Sequence, residues 1–182
     1  MDYNKLEAYE LTGDDIKKIL TGVNIIKYEN LKDYYSLNDC FNRKPFFIIF
    51  LATTDEYSGH WLCMLKQKGF YLYWDSYGLS PLDDLGCISH KKLEQLGEDK
   101  SIIIDLFKRS AKAGMTITHN TTDYQAWGDK IDTCGRWVCV RCLNWRLTEK
   151  QFYDYVTNLK LKYGVDTLDE VVCKLIYDIV KK

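Results

Sequence analysis

Apolar positions recur along the chain with two different periods, and the changes between them mark its elements. Ile16, Ile19 and Leu20 stand at helical spacing after Thr12-Gly13-Asp14-Asp15, a Thr-x-x-acid start that resembles a capping box, and Gly22 closes the segment. Residues 24–44 hold no sustained period and read as loop, with a short extended piece around Ile25-Ile26. Phe46-Phe47-Ile48-Ile49-Phe50-Leu51 is a continuous apolar run between Pro45 and polar residues, the pattern of a buried strand. Residues 60–66 and 70–75 predict two further strands joined by a turn at Gln67-Lys68-Gly69. Residues 79–98 are mixed and loop-like. Ile102 to Lys112 predicts a helix, and Met115 to His119 a short strand.

From Cys134 to Arg146 the chain is apolar on most faces of a helix: Trp137, Val138, Val140, Leu143 and Trp145, with Cys139 and Cys142 between them. Such a helix is a buried one. Thr148-x-x-Gln151 and Thr167-x-x-Glu170 then open two more helices with capping-box starts. Helix, strands, helix, strand and three helices make an α+β order. It predicts a small central, mainly antiparallel sheet flanked by helices, with a buried central helix starting at Cys134.

No repeat or linker divides the 182 residues, so residues 1–182 are expected to form a single domain. A hydrophobic content of 46%, with 14% aromatic, excludes disorder along the whole chain. The net charge of −1 argues against a general nucleic-acid binder, although Lys108-Arg109 with Lys112 is a local basic face. No apolar run reaches the length of a transmembrane helix. Met1-Asp2-Tyr3-Asn4-Lys5 lacks the features of a signal peptide, so the protein is expected not to be secreted. The seven cysteines are odd in number, and reduced thiols are the expectation. The 25 basic residues divide into 20 lysines and 5 arginines, and proline occurs only 2 times, a composition that suggests an AT-rich coding genome.

Two features bear on chemistry. His60 and Asp75 sit on the two strands that flank the turn, and a hairpin symmetric about residues 67 and 68 sets them directly opposite each other. At about 4.5–5.5 Å between Cβ atoms, an aspartate so placed can orient a histidine base; a solvent-facing cross-strand pair is the plainer alternative. Cys134 follows the polar stretch Gly128-Asp129-Lys130-Ile131-Asp132-Thr133 at the expected helix start, where free N–H groups and the positive dipole end favour a thiolate. Its alternative is simple packing, the role also read for Cys139 and Cys142. Cys139-Val140-Arg141-Cys142 has zinc-like spacing but no second pair, so no metal is expected. His90 reads as a solvated loop residue and His119 as a strand end, and neither has an acid at a defined position across a strand.

Gly59-His60-Trp61, Trp74-Asp75-Ser76-Tyr77-Gly78, Gln125 and Asp132-Thr133-Cys134-Gly135 together resemble the ordered motifs of adenain-type and ubiquitin-like-protein-type cysteine proteases. The resemblance covers roughly residues 12–146. It implies Cys134 as nucleophile, His60 as its base, Asp75 as the group that orients His60, and Gln125 as a side-chain donor to the oxyanion beside the backbone N–H of Cys134. Trp61 would narrow the substrate cleft, and Trp74 stands nearby. The stretch from Gln125 to Cys134 is two or three residues longer than is usual in the family, which leaves Asn120 as the alternative donor. The resemblance further implies a virion-maturation endopeptidase that cleaves viral capsid or scaffold precursors after small residues. No cofactor would be required, with a peptide or DNA activator left open. The enzyme would be a monomer acting in the virion or the host-cell interior, cytoplasm or virus factory. An AT-rich virophage, Maverick-like virus or giant virus suits the composition. Removal of ubiquitin-like modifiers, or a non-enzymatic viral structural domain, are the competing readings.

Overall fold

The computed structural model describes residues 2–55, 57–86, 88–97 and 101–180, and the side chains of all of these except residues 90, 101 and 180. Cys87 therefore lies outside the described residues, as does the side chain of His90. The chain opens with α1 (Tyr3–Glu7), α2 (Gly13–Ile19) and β1 (Asn24–Lys27). A 3-10 segment (Tyr28–Asp33), α3 (Leu37–Cys40), β2 (Phe46–Ala52), β3 (Gly59–Gln67) and β4 (Phe70–Trp74) follow. Then come α4 (Pro81–Gly86), α5 (His90–Leu96), α6 (Ser101–Lys112), β5 (Ile117–His119), α7 (Cys134–Leu143), α8 (Glu149–Tyr163) and α9 (Leu168–Val180).

The α+β architecture agrees with the hydrophobic pattern, and the sheet departs from it at both edges. The order is β1-β2-β3-β4-β5. The inner pairs β2/β3 and β3/β4 are antiparallel, while β1 runs parallel to β2 and β5 parallel to β4, so the sheet is mixed. At four and three residues, the edge strands are too short for their direction to be read from periodicity. All seven residues of β2 are buried because helices cover both faces of the sheet. One layer packs α2, α7, α8 and α9 against Phe46, Ile48, Phe50, Trp61, Cys63 and Trp74. The other sets the 3-10 segment and α3 to α6 against Phe47, Ile49, Leu51, Leu62, Met64 and Tyr73.

Two segments read as loop are partly helical. Ser80 and Asp83 form reciprocal capping bonds before α4, with Pro81 in the first helical position. Ser89 accepts from the Lys92 N–H at the start of α5, and Ser36 and Asp39 cap α3 within residues 24–44. These helices span only four to seven residues, too few to establish a 3.6 period. The buried helix also ends earlier than expected, at Leu143, where Arg141 donates to the carbonyls of Asn144 (2.9 Å) and Leu147 (3.0 Å).

The hairpin register is corrected by two residues. Gln67 pairs with Phe70 around a two-residue turn of Lys68 and Gly69, the latter at φ +92°, where an L side chain is strained. Cys63 faces Trp74, and one further step sets Asp75 opposite Leu62 rather than His60. An even shift keeps every side chain on its face, so His60 and Asp75 remain diagonal neighbours on one side of the sheet.

Candidate active site

His60 and Asp75 lie where β3 begins and β4 has just ended, on the face that carries Leu62 and Tyr73. α7 packs on the opposite face, and its first residue, Cys134, reaches past the sheet end to the imidazole. The three side chains thus come from both layers and meet at the rim. His60 Nε2 is hydrogen-bonded to Asp75 Oδ1, and the ring also bonds Cys134. Burial alone would lower the His60 pKa, but hydrogen bonds and charge from Asp75 and Cys134 outweigh it and raise the pKa well above the ordinary value. The ring thus sits between a carboxylate and a sulfur, surroundings that favour its protonated form.

Asp75 is fully buried and firmly placed. Its Oδ2 accepts from the Tyr77 and Leu79 N–H groups, both at 3.0 Å. Asn120 clamps its backbone: Asn120 Oδ1 accepts from the Asp75 N–H at 2.9 Å, and Nδ2 donates to the Asp75 carbonyl at 2.7 Å and to the Thr122 carbonyl at 3.3 Å. Both amide protons of Asn120, the alternative donor considered from the sequence, are thereby used on the Asp75 and Thr122 carbonyls. Behind the pair, the buried Asp84 accepts from the Tyr73 hydroxyl at 2.6 Å. Burial and the neighbouring Asp75 charge raise its pKa to about 7.

At the start of α7, Thr133 does not cap the helix. Its hydroxyl binds Asp169 Oδ1 instead, and the same oxygen accepts from Trp137 Nε1 at 2.8 Å. Asp169 Oδ2 takes the Ala126 N–H at 2.9 Å. One buried carboxylate on α9 thus ties together both ends of the stretch from 125 to 134 and the first turn of α7. The Asp132 N–H adds a bond to the Glu7 carbonyl at 2.8 Å. This is how the long loop still brings Gln125 to the site. Gly135 allows α7 to approach the strand: a Cβ there would lie 2.9 Å from Leu11 Cβ and 3.3 Å from Trp61 Cδ1.

Gln125 is buried, and its carboxamide is fully bonded. Oε1 accepts from Ser76 Oγ at 2.8 Å, while Nε2 donates to the Ile131 carbonyl at 3.0 Å and to the Tyr77 hydroxyl at 2.9 Å. Tyr77 lies between His60 (ring centroids 5.3 Å apart) and Trp127 (3.9 Å, interplanar angle 20°). A cleft of ≈ 410 Å³ opens there, lined by His60, Tyr77, Leu79, Ile88, Lys92 and Trp127 among others. Trp61 points to the other layer: it is 5% exposed, donates from Nε1 to the Leu11 carbonyl at 3.0 Å, and lines a separate apolar groove. Trp74 is core, against Tyr124, Trp137 and Phe152. The aromatic exposed beside His60 is Trp127, at 61%.

Sequence reasoning passed over Tyr77, Trp127 and Asp169. Tyr77 sits inside the quoted Trp74 to Gly78 motif and adjoins Asp75, which was signal enough. Trp127 and Asp169 offered none, since their partners lie tens of residues away.

No protein-family model matches the chain. Over 173 residues it is 28% identical to uncharacterized protein V9 of the Sputnik virophage, covering 92% of this chain and 96% of that protein. Among solved structures it is similar to the central domain of the uncharacterized Lpg1148 protein from Legionella pneumophila (TM-score 0.44, 14% identity, 95% of this chain and 99% of that one). It is also similar to the C-terminal Ulp1 protease domain in complex with Smt3, the yeast ortholog of SUMO (TM-score 0.40, 16% identity, 100% of this chain and 83% of that one).

Proposed function

We propose that the protein is a virus-encoded cysteine endopeptidase that cleaves capsid or scaffold precursors during virion maturation. The observation that carries the reading is the meeting of a helix-terminal thiol, an imidazole and a buried carboxylate at one rim of the sheet. Identity over nearly the whole chain with a virophage protein supports a viral setting.

In this reading His60 takes the Cys134 thiol proton as the sulfur becomes the nucleophile. The sulfur attacks the scissile carbonyl carbon, the S–C bond forms, and the carbonyl π electrons move to oxygen. When the tetrahedral intermediate collapses, the C–N bond breaks and His60 gives its proton to the departing amine. A water molecule, deprotonated by His60, then attacks the thioester carbon; the C–S bond breaks, the acid leaves, and the Cys134 sulfur takes the water-derived proton back from His60. Asp75 holds the ring in position throughout. The Cys134 N–H, which at the first helical position has no intrahelical partner, and the polar wall built on Gln125 bound the space for the oxyanion.

The substrates would be extended segments with glycine before the cut. The purified protein, incubated with a peptide library, is expected to cleave after glycine, and Cys134→Ala to cleave nothing. A library left intact by the wild type, or cut equally by Cys134→Ala, refutes the proposal. A strict diglycine requirement with activity on ubiquitin-like fusions would assign it instead to modifier removal.

A further inference from the structure

The Gln125 carboxamide has a determined orientation. The Ile131 carbonyl can only accept, so the atom facing it is the amide nitrogen, and the Ser76 hydroxyl donates to the amide oxygen on the other side. The second amide proton goes to the Tyr77 oxygen at 2.9 Å. Gln125 is left without a free N–H, and Tyr77 accepts where a phenol more often donates. Among the described residues no acceptor takes the Tyr77 hydroxyl proton. The ring carrying that proton stacks on His60 and is fixed on its other face by Trp127. The Tyr77 backbone N–H is bound by Asp75, so the hydroxyl and the base share one anchor.

We infer that the Tyr77 hydroxyl is the side-chain donor to the oxyanion, and that Gln125 is a positioning residue that orients and polarises it. The inference rests on Cys134 acting as the nucleophile. Donation from Gln125 into the phenol oxygen strengthens the phenol as a donor, as successive hydrogen bonds polarise one another. Burial first, then the nearby Cys134 and Asp75 charges, push the Tyr77 pKa far above the ordinary phenol range, so the donor stays protonated at any working pH.

Two probes separate the possibilities: iodoacetamide, whose reaction with Cys134 creates no oxyanion, and a peptide aldehyde ending in glycinal. In the second, the Cys134 sulfur bonds the aldehyde carbon and the thiol proton passes to the oxygen that occupies the hole. Tyr77→Phe keeps the stacked ring. It is expected to alkylate at Cys134 within about threefold of wild type, to bind the aldehyde at least tenfold more weakly, and to lose about a hundred- to a thousandfold in turnover of a cleaved peptide. Gln125→Ala should show the same pattern with smaller losses. Aldehyde affinity unchanged in Tyr77→Phe but lost in Gln125→Ala would overturn the inference in favour of direct donation by Gln125. Loss of alkylation together with aldehyde binding in Tyr77→Phe would also overturn it, since the ring would then act through His60. A wild type whose Cys134 reacts with neither probe refutes the protease reading, and this inference with it.

Discussion

Removing the Asp169 carboxylate should disable the site from the far side of α7. Asp169 accepts from Thr133 and Trp137, whose side chains are fully buried, and from the Ala126 N–H, which lies on an exposed residue. In Asp169→Ala the Thr133 and Trp137 donors are orphaned in the core, while water can reach Ala126. At about 1–3 kcal/mol for each unsatisfied buried donor, the loss is roughly 2–6 kcal/mol. For a domain of this size, about 2–4 °C of Tm per kcal/mol turns the middle of that range into a fall of roughly 8–16 °C. Asp169→Asn separates stability from function. Its amide oxygen can still serve Thr133 and Trp137, so its Tm should drop by only about 2–4 °C, for a deficit near 1 kcal/mol. Its amide nitrogen, however, faces the Ala126 N–H, donor against donor, and releases the loop that carries Gln125. In the proposed enzyme, kcat should then fall at least tenfold with KM nearly unchanged. Thermal melts followed by circular dichroism, together with steady-state kinetics on one cleaved peptide, decide the point. Melting of Asp169→Ala within 3 °C of wild type, or full turnover in Asp169→Asn, would refute the reasoning.

Two further outcomes follow from the packing and charges at the rim. Gly135→Ala drives a Cβ to 2.9 Å from Leu11 Cβ, which cannot swing away as a side-chain tip could. It should cost about 1–3 kcal/mol in denaturant unfolding and displace Cys134 enough to suppress cleavage; an unchanged midpoint with full activity would count against the close approach. Asp84, with its pKa raised to about 7, favours the neutral form in the folded state. Below about pH 4 both states are protonated and it contributes nothing, but as pH rises the unfolded chain ionises first. Its presence therefore costs stability that grows from about pH 4 and is complete above about pH 7. Asp84→Asn should gain on wild type across that window in urea midpoints, and a difference independent of pH would contradict the burial argument.

The residues that touch one another along the chain were legible, and those that meet across layers were not. The apolar run of β2, the capping starts of α2, α8 and α9 and the buried α7 all follow from local pattern. The register of the β3–β4 hairpin was misjudged by two residues, because the turn closes on Lys68-Gly69, yet the period of two preserved the face and with it the His60–Asp75 pair. Cys134 belongs to one side of the sheet and His60 to the other, so no periodicity could bring them together; only the order of motifs suggested it. Asp169 looks like any acidic residue in a helix's first turn, and its role arises because α9 turns it inward onto Thr133, Trp137 and Ala126. Trp61 shows the converse: the motif places it beside His60, and strand alternation carries its side chain to the opposite layer.

The central claim is that His60 activates Cys134, and site-resolved alkylation tests it most directly. Burial pushes the Cys40 and Cys173 thiols up to about 12 and those of Cys139 and Cys142 higher still, so these four should react slowly whatever happens at the site. Iodoacetamide rates at pH 6.5, read cysteine by cysteine from peptide masses, should show Cys134 reacting far faster than those four. In His60→Ala the Cys134 rate should fall at least tenfold while the others stay as they were. A Cys134 rate that is slow in the wild type, or the same with and without His60, would contradict the account.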